Sequence, residues 1–225
     1  MRGKLVLLGL TLTIAMGLPA PAASALILHP PPPTSDENFT CRASALRVSA
    51  LNGVLFSEPV VANRANNPCR DEKASALTAN VPGFAQAGAL NAETDNEARG
   101  ATSKASVANV TLTLGGRTIN ATVLSSQAAV TCSGGFHPGP QFSGSSSLAT
   151  LTVDGKSYTV GDQSQTIQIP QNDGSVLTIA INEQVREQNR ITQRALRVTL
   201  APGTPLATEV VVAESIANVR GNPCD

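Results

Sequence analysis

The chain has 225 residues, 16 basic and 16 acidic side chains, and a formal net charge of zero. It carries no Lys/Arg cluster, so nucleic acid and anionic membrane surfaces are poor partners for it. Aromatic residues make up 3%, with no Trp and one Tyr, which counts against glycan-stacking and single-strand-binding surfaces and leaves Val, Leu, Ile and Ala to build the core.

The chain opens with Arg2 and Lys4, an apolar run from Leu5 to Leu18, and small residues from Pro19 to Ala25. That is the three-part plan of a secretory signal peptide, with cleavage expected after Ala25. The run is shorter than the roughly 20 residues that span a bilayer, so no transmembrane segment is expected in the mature chain. Residues 26–38 read as a leader, in which Pro30 to Pro33 follow His29. Four prolines favour polyproline II and cannot join a sheet interior.

Residues 39–225 are expected to form a single domain. Ala43 to Ala50 alternates as a strand, Asn52-Gly53 turns, and Val54 to Phe56 is a short strand. Residues 57–71 read as loop, and Lys73 to Val81 and Ala87 to Thr94 as strands, with helix a rival for both Ala-rich runs. The clearest signal follows. Ala108, Val110, Leu112 and Leu114 alternate with polar residues up to Gly115-Gly116, and Ile119, Ala121 and Val123 alternate beyond it. Two period-2 runs around Gly-Gly predict a hairpin. Residues 132–146 read as loop, and a second hairpin turns at Asp154-Gly155. Strands are then expected at Gln165 to Ile169, Leu177 to Ile181, Leu196 to Leu200 and Leu206 to Val219, the last with a bulge near Ala213-Glu214-Ser215. About 10–12 strands with turns between them predict an all-β antiparallel sandwich, with a β-barrel as the alternative.

Two internal echoes stand out. Ser106-Val107-Ala108 with Val110-Thr111-Leu112 matches Ser147-Leu148-Ala149 with Leu151-Thr152-Val153. Ala45-Leu46-Arg47-Val48 returns as Ala195-Leu196-Arg197-Val198. Neither has the fixed period of a solenoid.

Four cysteines in an exported chain predict two disulfides. Of the three possible pairings, Cys41 with Cys69 and Cys132 with Cys224 is preferred: the first closes a local loop, and the second ties a hairpin end to the last strand.

The order of several short pieces resembles the choice-of-anchor P proteins, secreted bacterial chains of undefined biochemical role. The pieces are Val81-Pro82-Gly83, Ala87 to Asn91, Ser106 to Val110, Leu148 to Gly155, Asn182-Glu183-Gln184, Ala195 to Leu200 and Val211 to Ser215. The resemblance implies a secreted or cell-surface β-rich domain. The family's name implies differing C-terminal anchors, whereas this chain runs from Val219 to Asp225 with no anchor-like segment. It carries over no catalytic residues.

No cofactor or metal is expected. His29 sits in the leader and His137 in a Gly-rich loop, and neither belongs to a Cys-x-x-Cys or His-x-x-x-His spacing. The Asp-Gly pairs at 154 and 173 read as turns, and no Gly-x-Ser-x-Gly elbow is present. Glu183 is the carboxylate to watch. On an unbroken strand it would follow Leu177, Ile179 and Ile181 inward, where it needs an Arg partner or a polar pocket, unless a bulge turns it outward. Thr111, Thr113, Thr118, Asn120 and Thr122 form a hydroxyl and amide face on the first hairpin, fit to dock a polymer or ordered water. Asn38, Asn109 and Asn120 each match Asn-x-Thr.

The reading is a non-catalytic structural or adhesion-type domain that presents loops to an extracellular protein or polymer, its oligomeric state left open. The rivals are a carboxylate hydrolase using Glu183 and a barrel holding a small apolar ligand in its mouth.

Overall fold

The computed structural model describes residues 38–64, 68–134, 139–221 and Cys224. Residues 1–37, where a signal peptide and a leader with His29 are expected, and His137 lie outside the described residues. Among the described residues, thirteen strands run in chain order: β1 Phe39–Ala50, β2 Leu55–Ala62, β3 Glu72–Val81, β4 Ala85–Glu97, β5 Gly100–Leu114, β6 Arg117–Ser133, β7 Gly139–Ser147, β8 Thr150–Val153, β9 Lys156–Tyr158, β10 Gln165–Pro170, β11 Val176–Glu187, β12 Arg190–Leu200 and β13 Thr208–Val219. No α-helix occurs among the described residues, so the Ala-rich runs in β3 and β4 are strands: β4 pairs with both β3 and β5, and that ladder outweighs helix propensity.

The strands form two antiparallel sheets packed on each other, and they do not close into a barrel. The first sheet has the order β10-β11-β12-β13-β1-β2. The second has the order β3-β4-β5-β6-β8-β9, with β7 also pairing β6. Segments expected as loop extend the sheets instead. Residues 57–62 complete β2 as an edge strand, with register shifts on either side of Leu46. Gly139–Ser147 becomes β7 because the long β6 still offers unpaired backbone there. The hairpin turns at Gly115-Gly116 and Asp154-Gly155 place both central residues at positive φ (58° and 72°, 49° and 80°), as a two-residue turn between twisted strands requires.

Each long strand changes face once. In β5 the inward set passes from Ala105 and Val107 to Val110 and Leu112; in β1 it passes from Cys41 and Ala43 to Leu46 and Val48. The change falls on one line across each sheet, because neighbouring strands step together and keep register through it. Alternate strands make the step with a left-handed residue: Ala89 (φ 49°), Val123 (50°), Asn182 (52°) and Ala213 (53°). The irregularity at Ala213 therefore inserts no extra residue. The step also corrects the alternation read for the first hairpin. Ala108 and Val123 lie on the outer face with the polar residues, and Val123 is 61% exposed.

The line divides the interior. The larger core joins Leu46, Leu90, Leu112, Ile119, Ile179 and Leu196. A smaller one around Phe39, Val130, Ile191 and Val219 includes Cys41 and Cys69. Buried serines between them bond the sheets to each other: Ser126 Oγ lies 2.8 Å from Ser215 Oγ, and Ser103 Oγ donates to the Ile216 carbonyl at 2.9 Å. Such paired hydroxyls fix the relative register of two sheets, because sliding would leave them unsatisfied. Cys41 is bonded to Cys69, and Cys132 to Cys224, over sequence separations of 28 and 92 residues.

Both echoes now have a structural basis. Ala45 to Val48 and Ala195 to Val198 flank β13 from opposite sides in the same register, with Arg47 and Arg197 both opposite Val211. Thr111 and Thr152 likewise flank Asn120 of β6. Strands that share one central neighbour meet the same partner at every row, and similar residues satisfy both.

Candidate functional site

Three surfaces concentrate the chemistry of the described residues. The first is the outer face of the first sheet. There the sign of charge alternates from strand to strand: Glu58 on β2, Arg42 and Arg47 on β1, Glu209 and Glu214 on β13, Arg194 and Arg197 on β12, and Glu183 on β11. The ladder is continuous. Arg42 bridges Glu58 and Glu214, and Arg47 bridges Glu214 and Glu209 at 3.2 and 3.0 Å. Arg194 bridges Glu214 and Glu183 at 2.6 and 2.7 Å, and Arg197 bridges Glu183 and Glu209 at 2.5 and 3.8 Å.

Glu214 is its hub, with a side chain only 3% exposed. Burial opposes its ionisation, but Arg47, Arg194 and Arg42 together outweigh that, and its pKa lies below the ordinary carboxylate value. Burial likewise disfavours the charged form of Arg194, and hydrogen bonds from it to Glu183 and Glu214 more than restore it. Val211 points outward between Arg47 and Arg197 yet is 1% exposed, consistent with the way long guanidinium side chains cover apolar surface.

Glu183 belongs to this ladder. The left-handed Asn182 turns it out of the Leu177, Ile179, Ile181 series, and each of its oxygens accepts from a different arginine. With both oxygens occupied by guanidinium donors, the carboxylate is not free to act as a nucleophile or to reach a substrate proton. Among the described residues, no group of three His, Cys, Asp or Glu side chains is placed to hold a metal ion, and no helix is long and apolar enough to cross a membrane.

The second surface is the outer face of the second sheet. Thr111, Thr113, Thr118, Asn120 and Thr122 all lie on it, with Thr111 Oγ1 2.8 Å from Asn120 Oδ1 and Thr122 Oγ1 2.6 Å from Thr150 Oγ1. The face is wider than the hairpin. One row runs Asn80, Gln86, Thr111, Asn120, Thr152, Ser157, and another Ser75, Asn91, Ser106, Ser125, Ser147. Between them the face-changing line presents an apolar stripe: Leu77, Ala89, Ala108, Val123, Ala149. Charge returns beyond the serine row, at Lys73, Glu93 and Lys104, and at the opposite end, where Arg117 pairs with Asp154 beside Thr118.

The third surface is one end of the sandwich, where the turn after β1 meets the loop between β12 and β13. The Asn52 amide donates to the Ala207 carbonyl at 3.2 Å and clips the two together. Leu51, Asn52 and Gly53 all have positive φ, which throws the turn outward. Val54, Phe56 and Leu206 stand 85%, 57% and 68% exposed, with Leu51 and Leu55 beside them. No charged residue occurs in 50–57 or 200–208. A cleft of about 350 Å³ lies between the loops, lined by Asn52, Gly53, Leu200, Pro202, Gly203 and Ala207 among others. The sequence reading took Val54 to Phe56 as an ordinary strand. The Asn52-Gly53 turn is where the sequence places it, but consecutive apolar residues do not reveal which side of an edge strand is left uncovered.

Comparison of the chain with protein-family models, with curated proteins and with solved structures finds no match.

Proposed function

We propose that the protein is an exported, non-catalytic β-domain of structural or adhesion type, which presents its end loops to an extracellular protein or polymer bearing an apolar surface. One observation carries this reading: a clipped loop pair holds Val54, Phe56 and Leu206 in water at one end of the sandwich. Contiguous exposed apolar side chains mark contact sites more often than idle surface. Two disulfides fit an oxidising compartment, as do the signal-peptide pattern and the resemblance to choice-of-anchor P proteins. The Glu183 hydrolase is the weaker reading, because the arginine ladder engages that carboxylate on both oxygens.

The test is capture from the extracellular fraction by the wild-type protein and by the triple variant Val54→Ser, Phe56→Ser, Leu206→Ser. These side chains are exposed, so the variant is expected to keep its thermal midpoint and lose the captured partner. Equal capture by both proteins rules out the loop pair as the contact.

A further inference from the structure

We infer that the outer face of the second sheet is the interface with a second copy of this chain. The argument starts from Val123. A β-branched residue in the left-handed region is a genuine outlier, yet Val123 sits there at φ 50° and is 61% exposed. Its side chain gains little packing in return, and Asn or Gly would adopt the same backbone with less strain. Strain of this kind persists where a surface needs the side chain. Val123 lies in the stripe with Leu77, which is 87% exposed, and three alanines.

What flanks the stripe selects the partner. The rows on either side are uncharged hydroxyls and amides, nearly all able both to donate and to accept a hydrogen bond. Such a face is complementary to itself. A two-fold axis lying along the stripe would set each apolar residue against its own copy and the threonine rows against the serine row. Cleavage after Ala25 removes Arg2 and Lys4 and leaves a net charge of −2, too small for strong long-range repulsion between copies. Six strands at about 4.8 Å spacing and seven residues of rise give a patch roughly 24 Å on a side, so a stacked pair covers on the order of 1,100 Å², enough for a specific dimer. A neutral polysaccharide fits less well, because the stripe offers no aromatic ring for a sugar to stack on.

Sedimentation equilibrium of the oxidised protein, from micromolar to hundred-micromolar concentration, tests this. Wild type is expected to approach twice the chain mass. Ala108→Lys, which sets like charges on the axis, is expected to weaken association by about tenfold or more. Gln168→Lys, exposed on β10 of the other sheet, is expected to leave association unchanged. If Ala108→Lys does not fold, Thr111→Lys on the adjoining face carries the same test. Monomer at every concentration, association equally weakened by Gln168→Lys, a dimer indifferent to a folded lysine variant, or retention of monomer on insoluble neutral polysaccharide would each overturn the proposal.

Discussion

Replacing Glu214 by Gln removes the charge at the hub of the arginine ladder while nearly preserving volume. The carboxylate is 3% exposed and lies 2.6, 3.2 and 3.3 Å from nitrogens of Arg194, Arg47 and Arg42. Deleting one member of a buried ion pair costs about 3–5 kcal/mol, mostly because the partner is left buried and uncompensated. Each of these arginines keeps a second glutamate, and their side chains are 16–19% exposed, which places the cost near the lower end, about 3 kcal/mol. For a domain of this size that lowers the thermal midpoint by roughly 6–12 °C. Circular dichroism melting of the oxidised protein reads it directly. The control is Lys73→Gln, which breaks the pair with Glu93 at a lysine that is 75% exposed; no measurable shift is expected there. A Glu214→Gln midpoint indistinguishable from that control would refute the claim that the ladder is structural.

Acid titration follows from the same residue. A carboxyl whose folded pKa is depressed contributes stability above its unfolded value, about 4.3, and loses it as pH falls through the folded value. Wild type should therefore lose stability on acidification below about pH 4.3 more steeply than Glu214→Gln, as read by urea midpoints across that range. At concentrations where the chain is monomeric, Val123→Asn should raise stability by about 1 kcal/mol, since Asn tolerates the left-handed region and an exposed Val loses little packing; a lower midpoint there would contradict the strain argument. Removing Cys132–Cys224 by paired Ala substitutions should cost about 4–5 kcal/mol and removing Cys41–Cys69 about 3–4, because the first closes the longer loop (92 against 28 residues). The reverse order in chemical denaturation would show that native-state packing, not loop closure, sets the effect.

The alternation of Val110, Leu112 and Leu114 across Gly115-Gly116 made the hairpin and the sandwich legible, because a period of two and a positive-φ turn are local properties. The face change at Ala108 and Val123 was not legible: it is set by neighbouring strands stepping together, and nothing in the single strand marks it. Glu183 drew attention as a carboxylate on an inward series, and the Asn182 backbone that turns it outward is visible only in three dimensions. One of its arginines, Arg197, was present in the Ala-Leu-Arg-Val echo, but the echo does not say that Arg47 and Arg197 flank one strand. Pairing partners far apart in sequence, such as Arg42 and Glu214, exist only once the sheet order is known.

The most direct measurement sets wild type beside Glu183→Gln in broad glycosidase and esterase screens, with a thermal midpoint recorded for each. A ladder that serves the fold predicts no hydrolysis by either protein and a lower midpoint for the variant. Turnover by wild type that disappears in a fully folded Glu183→Gln would contradict it.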